Sequence, residues 1–190
     1  MSMTYYDLLS NMRLRGRWVL ANPLDEHGQE VDPWQFDKGR FLPPQGQLVL
    51  RQALPGSALE FSFTTLGIPV VHGRVVSLCE RLGLQEQVQF LPVQVEGESE
   101  PFFILNVLRV IRCIDDARCE EVQYRRAEDG NPERVGQYRV VAGMRIDPSK
   151  VGDSHILRPW GWTGALVISE RLKHAMEEQG ITGTKFVEAS

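Results

Sequence analysis

The residues of this chain that could do chemistry are few and poorly grouped. Asp153-Ser154-His155 holds the three residue types of a nucleophilic triad. Consecutive side chains point in different directions, and a working triad is assembled in space from separate segments, so the run is read as a chance juxtaposition. No Gly-x-Ser-x-Gly turn presents a nucleophile. Gly180-Ile-Thr-Gly-Thr-Lys185 has the composition of a phosphate loop with the wrong spacing and the wrong order. It follows a helical pattern and leads into a strand, whereas phosphate is held by the free N–H groups that open a helix. It reads as a helix stop and a turn. His27, His72, His155 and His174 stand at no ligand spacing from one another or from a cysteine pair, and Cys113-x5-Cys119 is not a zinc-knuckle spacing. Asp115-Asp116 and Glu120-Glu121 read as solvated turns. The sequence therefore nominates no catalytic residue, no metal ligand and no cofactor site.

Recognition chemistry is better represented. Residues 22–46 are punctuated by Asn-Pro, Asp-Pro and Pro-Pro and read as a loop. This loop carries Asp25, Glu26, Glu30, Asp32 and Asp37 beside Trp34 and Phe36. A second loop-like stretch, residues 147–164, carries Trp160 and Trp162 with Asp153, His155 and Arg158. A loop tryptophan either plugs the edge of a core or anchors an interface, and carboxylates around it answer a basic partner. The partner-binding candidates are accordingly Asp25, Glu26, Glu30, Asp32, Trp34, Asp37, Trp160 and Trp162. Trp18 is assigned to the core.

At 190 residues the chain can be one large domain or two small ones, and it can bury a core without staples. One domain over 1–190 is favoured over two lobes of about 1–115 and 116–190. The net charge of −4 argues against a general nucleic-acid binder. Arg13, Arg15 and Arg17 alternate and could line one strand face, but the overall acidity weakens a nucleic-acid reading. The first ten residues lack the basic start and apolar stretch of a signal peptide. The longest apolar run, Phe102 to Ile111, is broken by Asn106 and Arg109 and is too short to span a bilayer. A soluble cytoplasmic protein without a membrane partner is expected. Its three cysteines are expected as free thiols, with Cys79 buried.

The elements that must position these loops carry the strongest pattern in the chain. Ile68-Pro-Val-Val71 leads into a stripe of Val75, Leu78, Cys79 and Leu82, a stop at Gly83, and Val88-Gln-Phe-Leu-Pro92. Leu166-Val-Ile168 leads into Ser169, a stripe of Leu172, Ala175 and Met176, a stop at Gly180, and Thr184-Lys-Phe-Val187. Each reads as strand, amphipathic helix, glycine stop and strand. Twelve positions separate Val71 from Gly83, and twelve separate Ile168 from Gly180. Few identities align beyond Arg74/Arg171, Glu80/Glu177 and Gly83/Gly180, so the pattern leaves open whether the cassettes are duplicates. Ser169 is placed as an N-cap; His72 stands in its place in the first cassette, which predicts a weaker cap.

Residues 3–6, 17–21, 47–51 and 58–63 read as short strands. Residues 88–96 and 102–114 form a hairpin, with Pro92 marking an edge or a bulge. Residues 121–126 and 138–146 form two more strands. The expected fold class is α+β: a mixed, largely antiparallel sheet with a few short helices, including the two similar strand-helix-strand cassettes.

The cassettes, together with Phe103-Ile-Leu-Asn106 and Cys113-Ile-Asp115, resemble the Imm11-type immunity family (the immunity MXAN-0049 protein domain) of bacterial polymorphic toxin systems. The resemblance runs from about residue 4 to 188 and rests on the order and spacing of motifs; His72 departs from it where a serine is usual. It implies an antidote in the cytoplasm that binds a cognate toxin protein and blocks it by stoichiometric occlusion, with no catalytic residues. An enzyme that reverses a toxin's modification, needing a deep polar pocket around His155 and Asp153, and an interaction module without a toxin are the alternatives.

Overall fold

β-Branched and aromatic runs supply fourteen short strands, and two amphipathic stretches supply the helices, in a computed structural model that describes residues 3–190. In chain order they are β1 (Tyr5–Ser10), β2 (Val19–Leu20), β3 (Leu48–Leu50), β4 (Gln52–Leu54), β5 (Phe61–Phe63), β6 (Pro69–His72), α1 (Gly73–Arg81), β7 (Val88–Val95), β8 (Phe102–Val107), β9 (Val110–Ile111), β10 (Glu121–Tyr124), β11 (Tyr138–Ala142), β12 (Ile156–Pro159), β13 (Val167–Ser169), α2 (Glu170–Glu178) and β14 (Thr184–Glu188). Two five-stranded sheets dominate, ordered β3-β7-β8-β6-β5 and β14-β1-β13-β12-β9. Pairing is antiparallel except for β3 with β7 and β9 with β12. The α+β class with largely antiparallel sheets is what the sequence led us to expect.

The two cassettes build the two sheets in the same way. β6 and β7 both run antiparallel to β8, which lies between them, and β13 and β14 flank β1 likewise. His72 stands opposite Phe102 as Ser169 stands opposite Tyr5. The next neighbours, β5 and β12, are antiparallel to β6 and β13. The hydrogen bonds at the helix entries match. The His72 N–H donates to the Glu60 carbonyl at 2.8 Å and the Ser169 N–H to that of His155 at 2.9 Å. One residue on, the Gly73 N–H donates to Pro101 at 2.9 Å and the Glu170 N–H to Thr4 at 2.8 Å. The helix exits match too: Leu84 to Cys79 and Ile181 to Met176, each 3.0 Å, close the same glycine-terminated turn. The units differ in connectivity. β8 follows its cassette through a turn at Gly97, whereas β1 comes from the other end of the chain, as in a circularly permuted copy.

That relation predicts tolerance of a cut. The Tyr5 N–H donates to Ser190 Oγ, and the Ala189 N–H donates to the Tyr5 carbonyl, both at 2.9 Å, so residues 3 and 190 are neighbours. A chain with residues 190 and 3 joined by a short glycine-serine linker, and opened at exposed Gly130 between β10 and β11, is expected to unfold cooperatively within about 2 kcal/mol of the parent. A permutant without a cooperative urea transition would refute this.

The largest core cluster joins one face of each sheet to both helices. Val75, Leu78 and Cys79 of α1 and Leu172 and Met176 of α2 are buried with Val71, Leu105, Leu8 and Ile168. Strand alternation sends the adjacent residues the other way. Val70 and Ile104 enter a second cluster with Trp18, Phe36 and Leu42, and Tyr5 and Val167 enter a third with Cys113 and Ile146. β1 belongs to the sheet of the C-terminal cassette, so a division near residue 115 would part it from both its neighbours.

Several local expectations need correction. Ile156–Pro159 is a buried strand and not loop, because Arg158, which breaks its apolar pattern, is itself enclosed. The run from Phe102 does not continue to Ile114 as one strand: the Leu108 N–H bonds to the carbonyl of Gln87, just before β7 of the first sheet, and the Arg109 carbonyl accepts from Arg158 in the second. Between those bonds the chain crosses from one sheet to the other. The first strand spans residues 5–10 and not 3–6, and the second is only Val19–Leu20. Arg13 and Arg15 lie in turns, not on a strand face. His72, where a weaker cap is expected, does cap α1: its Nδ1 accepts from the Arg74 N–H at 3.1 Å. Pro92 interrupts no register with β8; it sits just before β3 joins β7 at Val93, where no donor is needed on that side. Cys79, Cys113 and Cys119 are free, and burial holds the first two as thiols, with pKa pushed up to about 12 and about 11.

Candidate partner-binding groove

The loop bearing Trp34 is pinned from beneath. Phe36 and Leu42 are buried in the second cluster. Gln89 and Asn106, on β7 and β8, hold the strap beyond them: Gln89 accepts from the Leu42 N–H at 2.9 Å and donates to its carbonyl at 2.8 Å, and Asn106 donates to the Arg40 carbonyl at 2.9 Å. Asp32 caps a short 3-10 turn, Pro33–Asp37, by accepting from the Trp34 N–H at 3.0 Å. The turn leaves Trp34 58% exposed, too open for a core plug.

The second tryptophan loop leaves the end of β12. The Trp160 N–H donates to the Ile111 carbonyl at 2.8 Å, and the Arg112 guanidinium lies 3.6 Å from the Trp160 ring centre. Arg158 turns inward and donates to the Thr163 carbonyl at 2.5 Å, which closes the loop on itself. Burial lowers the Arg158 pKa to about 10, and the nearby Asp37 carboxylate opposes the shift. Thr163 then donates its hydroxyl to Asp37 at 3.0 Å, across 126 positions of sequence. That bond fastens the two loops together.

Between them run two adjoining clefts. One, of about 460 Å³, is lined by Asp7, Leu8, Trp34, Phe63, Arg134 and Trp162, among others. The other, of about 660 Å³, includes Asp32, Trp34, Asp37, Glu133, Arg134 and Trp160. Asp32, Trp34, Asp37, Trp160 and Trp162 are thus brought together. Asp25, Glu26 and Glu30 are not. Asp25 shapes a turn, accepting from the His27 and Gln29 N–H groups at 2.9 Å, bonds that lower its pKa, with Gln29 contributing most. Asp25 and Glu26 line a smaller cleft of about 280 Å³ with Arg51, and Glu30 is exposed and bridged to Leu24.

Asp7 is the groove residue that sequence reasoning missed. It projects from β1 on the face away from the helices. Its Oδ1 is buried with no hydrogen-bond partner, and desolvation raises its pKa to about 6. The available signal was a lone carboxylate inside an apolar strand, Tyr5-Tyr-Asp-Leu-Leu9. Asp116 was also missed: it accepts from both the Tyr124 and Tyr138 hydroxyls, the latter at 2.6 Å, beneath their stacked rings.

His155, Ser169 and Asp153 line none of these clefts. His155 Nδ1 lies 2.8 Å from Ser169 Oγ, but that oxygen is fully buried and caps α2 by accepting from the Leu172 N–H. Desolvation, then the Arg171 charge, lowers the His155 pKa, which favours the neutral ring beside the cap. No three His, Cys, Asp or Glu side chains among the described residues stand close enough to hold a metal. No helix among them is long and apolar enough to cross a membrane.

Two matched strand-helix-strand units sharing one core, with a groove of aromatic and acidic residues beside it, define an α+β protein. Residues 13–190 match the model of the immunity protein family (Imm11), and the chain belongs to that family. A comparison with curated proteins finds no match.

Proposed function

We propose that the protein acts in the cytoplasm as a stoichiometric antidote, binding a cognate toxin and covering its working surface through the groove between the two tryptophan loops. Family membership supports the immunity role. The observation that carries the choice of face is the Asp37–Thr163 bond, which unites two remote loops and leaves Trp34 projecting at the rim of both clefts. An exposed indole held on a capped turn loses little entropy on contact, which suits an anchor. Carboxylates at Asp32, Asp37 and Glu133 speed encounter with a basic toxin surface.

The test is co-expression with the toxin encoded beside the gene, with size-exclusion chromatography of the pair. Protection and a one-to-one complex are expected. Trp34→Ala should weaken the complex by about 2 kcal/mol, roughly 30-fold, with little change in stability because the ring is exposed. Absence of both protection and complex would refute the toxin reading. Unchanged affinity in Trp34→Ala would refute this face.

A further inference from the structure

The adjoining clefts hold four carboxylates, Asp7, Asp32, Asp37 and Glu133, against two cations, Lys38 and Arg134. Three of the carboxylates are answered or wet. Asp37 Oδ1, also buried without a hydrogen bond, has the Lys38 ammonium at 3.4 Å, and its Oδ2 accepts from the Thr163 hydroxyl; Asp32 caps its turn; Glu133 is exposed. Asp7 is different. It lines the mainly apolar cleft that Phe63, Trp34 and Trp162 also line, and its buried Oδ1 accepts no hydrogen bond. Arg134 lines the same cleft but makes no ion pair with Asp7; its Nε donates to Gln137 at 3.4 Å. A carboxylate oxygen kept from water and from donors is costly unless a charge is supplied to it. Aromatic rings beside it favour a cation over a neutral donor, because their faces carry negative potential.

We propose that the floor of the groove, at Asp7, is a subsite for a lysine or arginine side chain projecting from the partner protein, flanked by the indoles of Trp34 and Trp162. This rests on the face assigned above and adds the chemistry of what enters it. The long alkyl stem of either residue would lie along the apolar walls while its head reaches the carboxylate.

The subsite can be read without the toxin. Indole N–H signals of the ¹⁵N-tryptophan-labelled protein, assigned with Trp34→Phe and Trp162→Phe, are followed during titration with the N-acetyl methylamides of arginine, lysine, citrulline and glutamate. The two cations are expected to shift the Trp34 and Trp162 signals along saturating curves. Citrulline, neutral and nearly isosteric with arginine, and glutamate are expected to leave them in place. Asp7→Asn and Trp34→Ala should each weaken the cation titration at least about tenfold. Equal shifts with citrulline, preference for glutamate at Arg134, a wild-type response in Asp7→Asn, or no shift with any probe would each overturn the subsite. The two readings fail separately. Protection by Asp7→Asn equal to wild type, with unresponsive indoles, removes the subsite and leaves immunity standing. Responsive indoles without any toxin complex remove the immunity reading and leave the subsite.

Discussion

Gly183→Ala is expected to lose about 3–5 kcal/mol of stability, enough to unfold much of a marginally stable domain. Gly183 sits in the short turn between α2 and β14 with φ of +94°, a backbone conformation that side chains disfavour. Position matters more than conformation. A Cβ built there overlaps the Phe61 carbonyl oxygen and stands 3.1 Å from the Leu59 side chain. The overlap is with backbone at the edge of the first sheet, so relief requires moving a strand. It falls where the units are laced together: the Phe61 N–H donates to Thr182 at 3.0 Å, and the Gly183 carbonyl accepts from Asn11 at 2.8 Å. Gly180 supplies the control. Its φ is +62° and a Cβ there meets nothing within 4 Å, so Gly180→Ala should cost only about 1 kcal/mol. Urea denaturation of both variants separates close approach from backbone strain. Equal losses would show that the approach of the turn to β5 contributes nothing.

The glycines also show what could be read from the chain and what could not. The stops at Gly83 and Gly180 were legible because a helix stripe ends at a residue free to turn left-handed, a local signal. The equivalence of Arg74 and Arg171 was visible as an alignment but had no meaning until the partners were known. Each reaches the residue whose carbonyl accepts from the helix cap: Arg74 the Glu60 carboxylate, and Arg171 the His155 ring at 3.5 Å. The strand that completes the second unit could not be read, since β1 lies more than 150 positions from β13 and the pairing is not local. The pattern does not predict a strand at Ile156–Pro159, because Arg158 and Pro159 break it; an enclosed arginine, bonded through one guanidinium nitrogen to the Thr163 carbonyl and with the Asp37 carboxylate nearby, defeats a hydrophobicity signal. In the groove, the tryptophans and acids were individually visible, but their partition was not. Asp25 and Asp37 look alike in sequence; one bonds its own turn, and the other reaches a threonine across the fold.

Asp7→Asn is expected to make the protein more stable, by about 2–3 kcal/mol near pH 8, although it removes a charge. The ordinary aspartate pKa of 3.8 is raised to about 6 in the folded state by desolvation. The folded protein therefore holds a proton at Asp7 that the unfolded chain has released between these values. A raised pKa contributes stability that is complete below the unfolded value and is lost as pH rises through the folded one. By pH 8 the carboxylate is ionised in both states, and its folded form lies about 3 kcal/mol higher than it would in water. Asparagine keeps the shape and removes that cost, less the cost of an amide that meets no better partners than the carboxylate did. The advantage should shrink through pH 6 and vanish near pH 4, where wild type is protonated in the folded state. Parallel urea melts at pH 8, 6 and 4 measure the difference. An advantage that stays constant over that range, or a carboxyl signal for Asp7 that titrates near 4, would show that the groove floor is solvated and that its carboxylate is not waiting for a counter-charge. The same substitution should weaken binding of the cationic probe, so stability and recognition are expected to move in opposite directions at a single atom pair. A purely structural Asp7 would not produce that opposition, because removing a costly buried charge would then improve the protein without a loss.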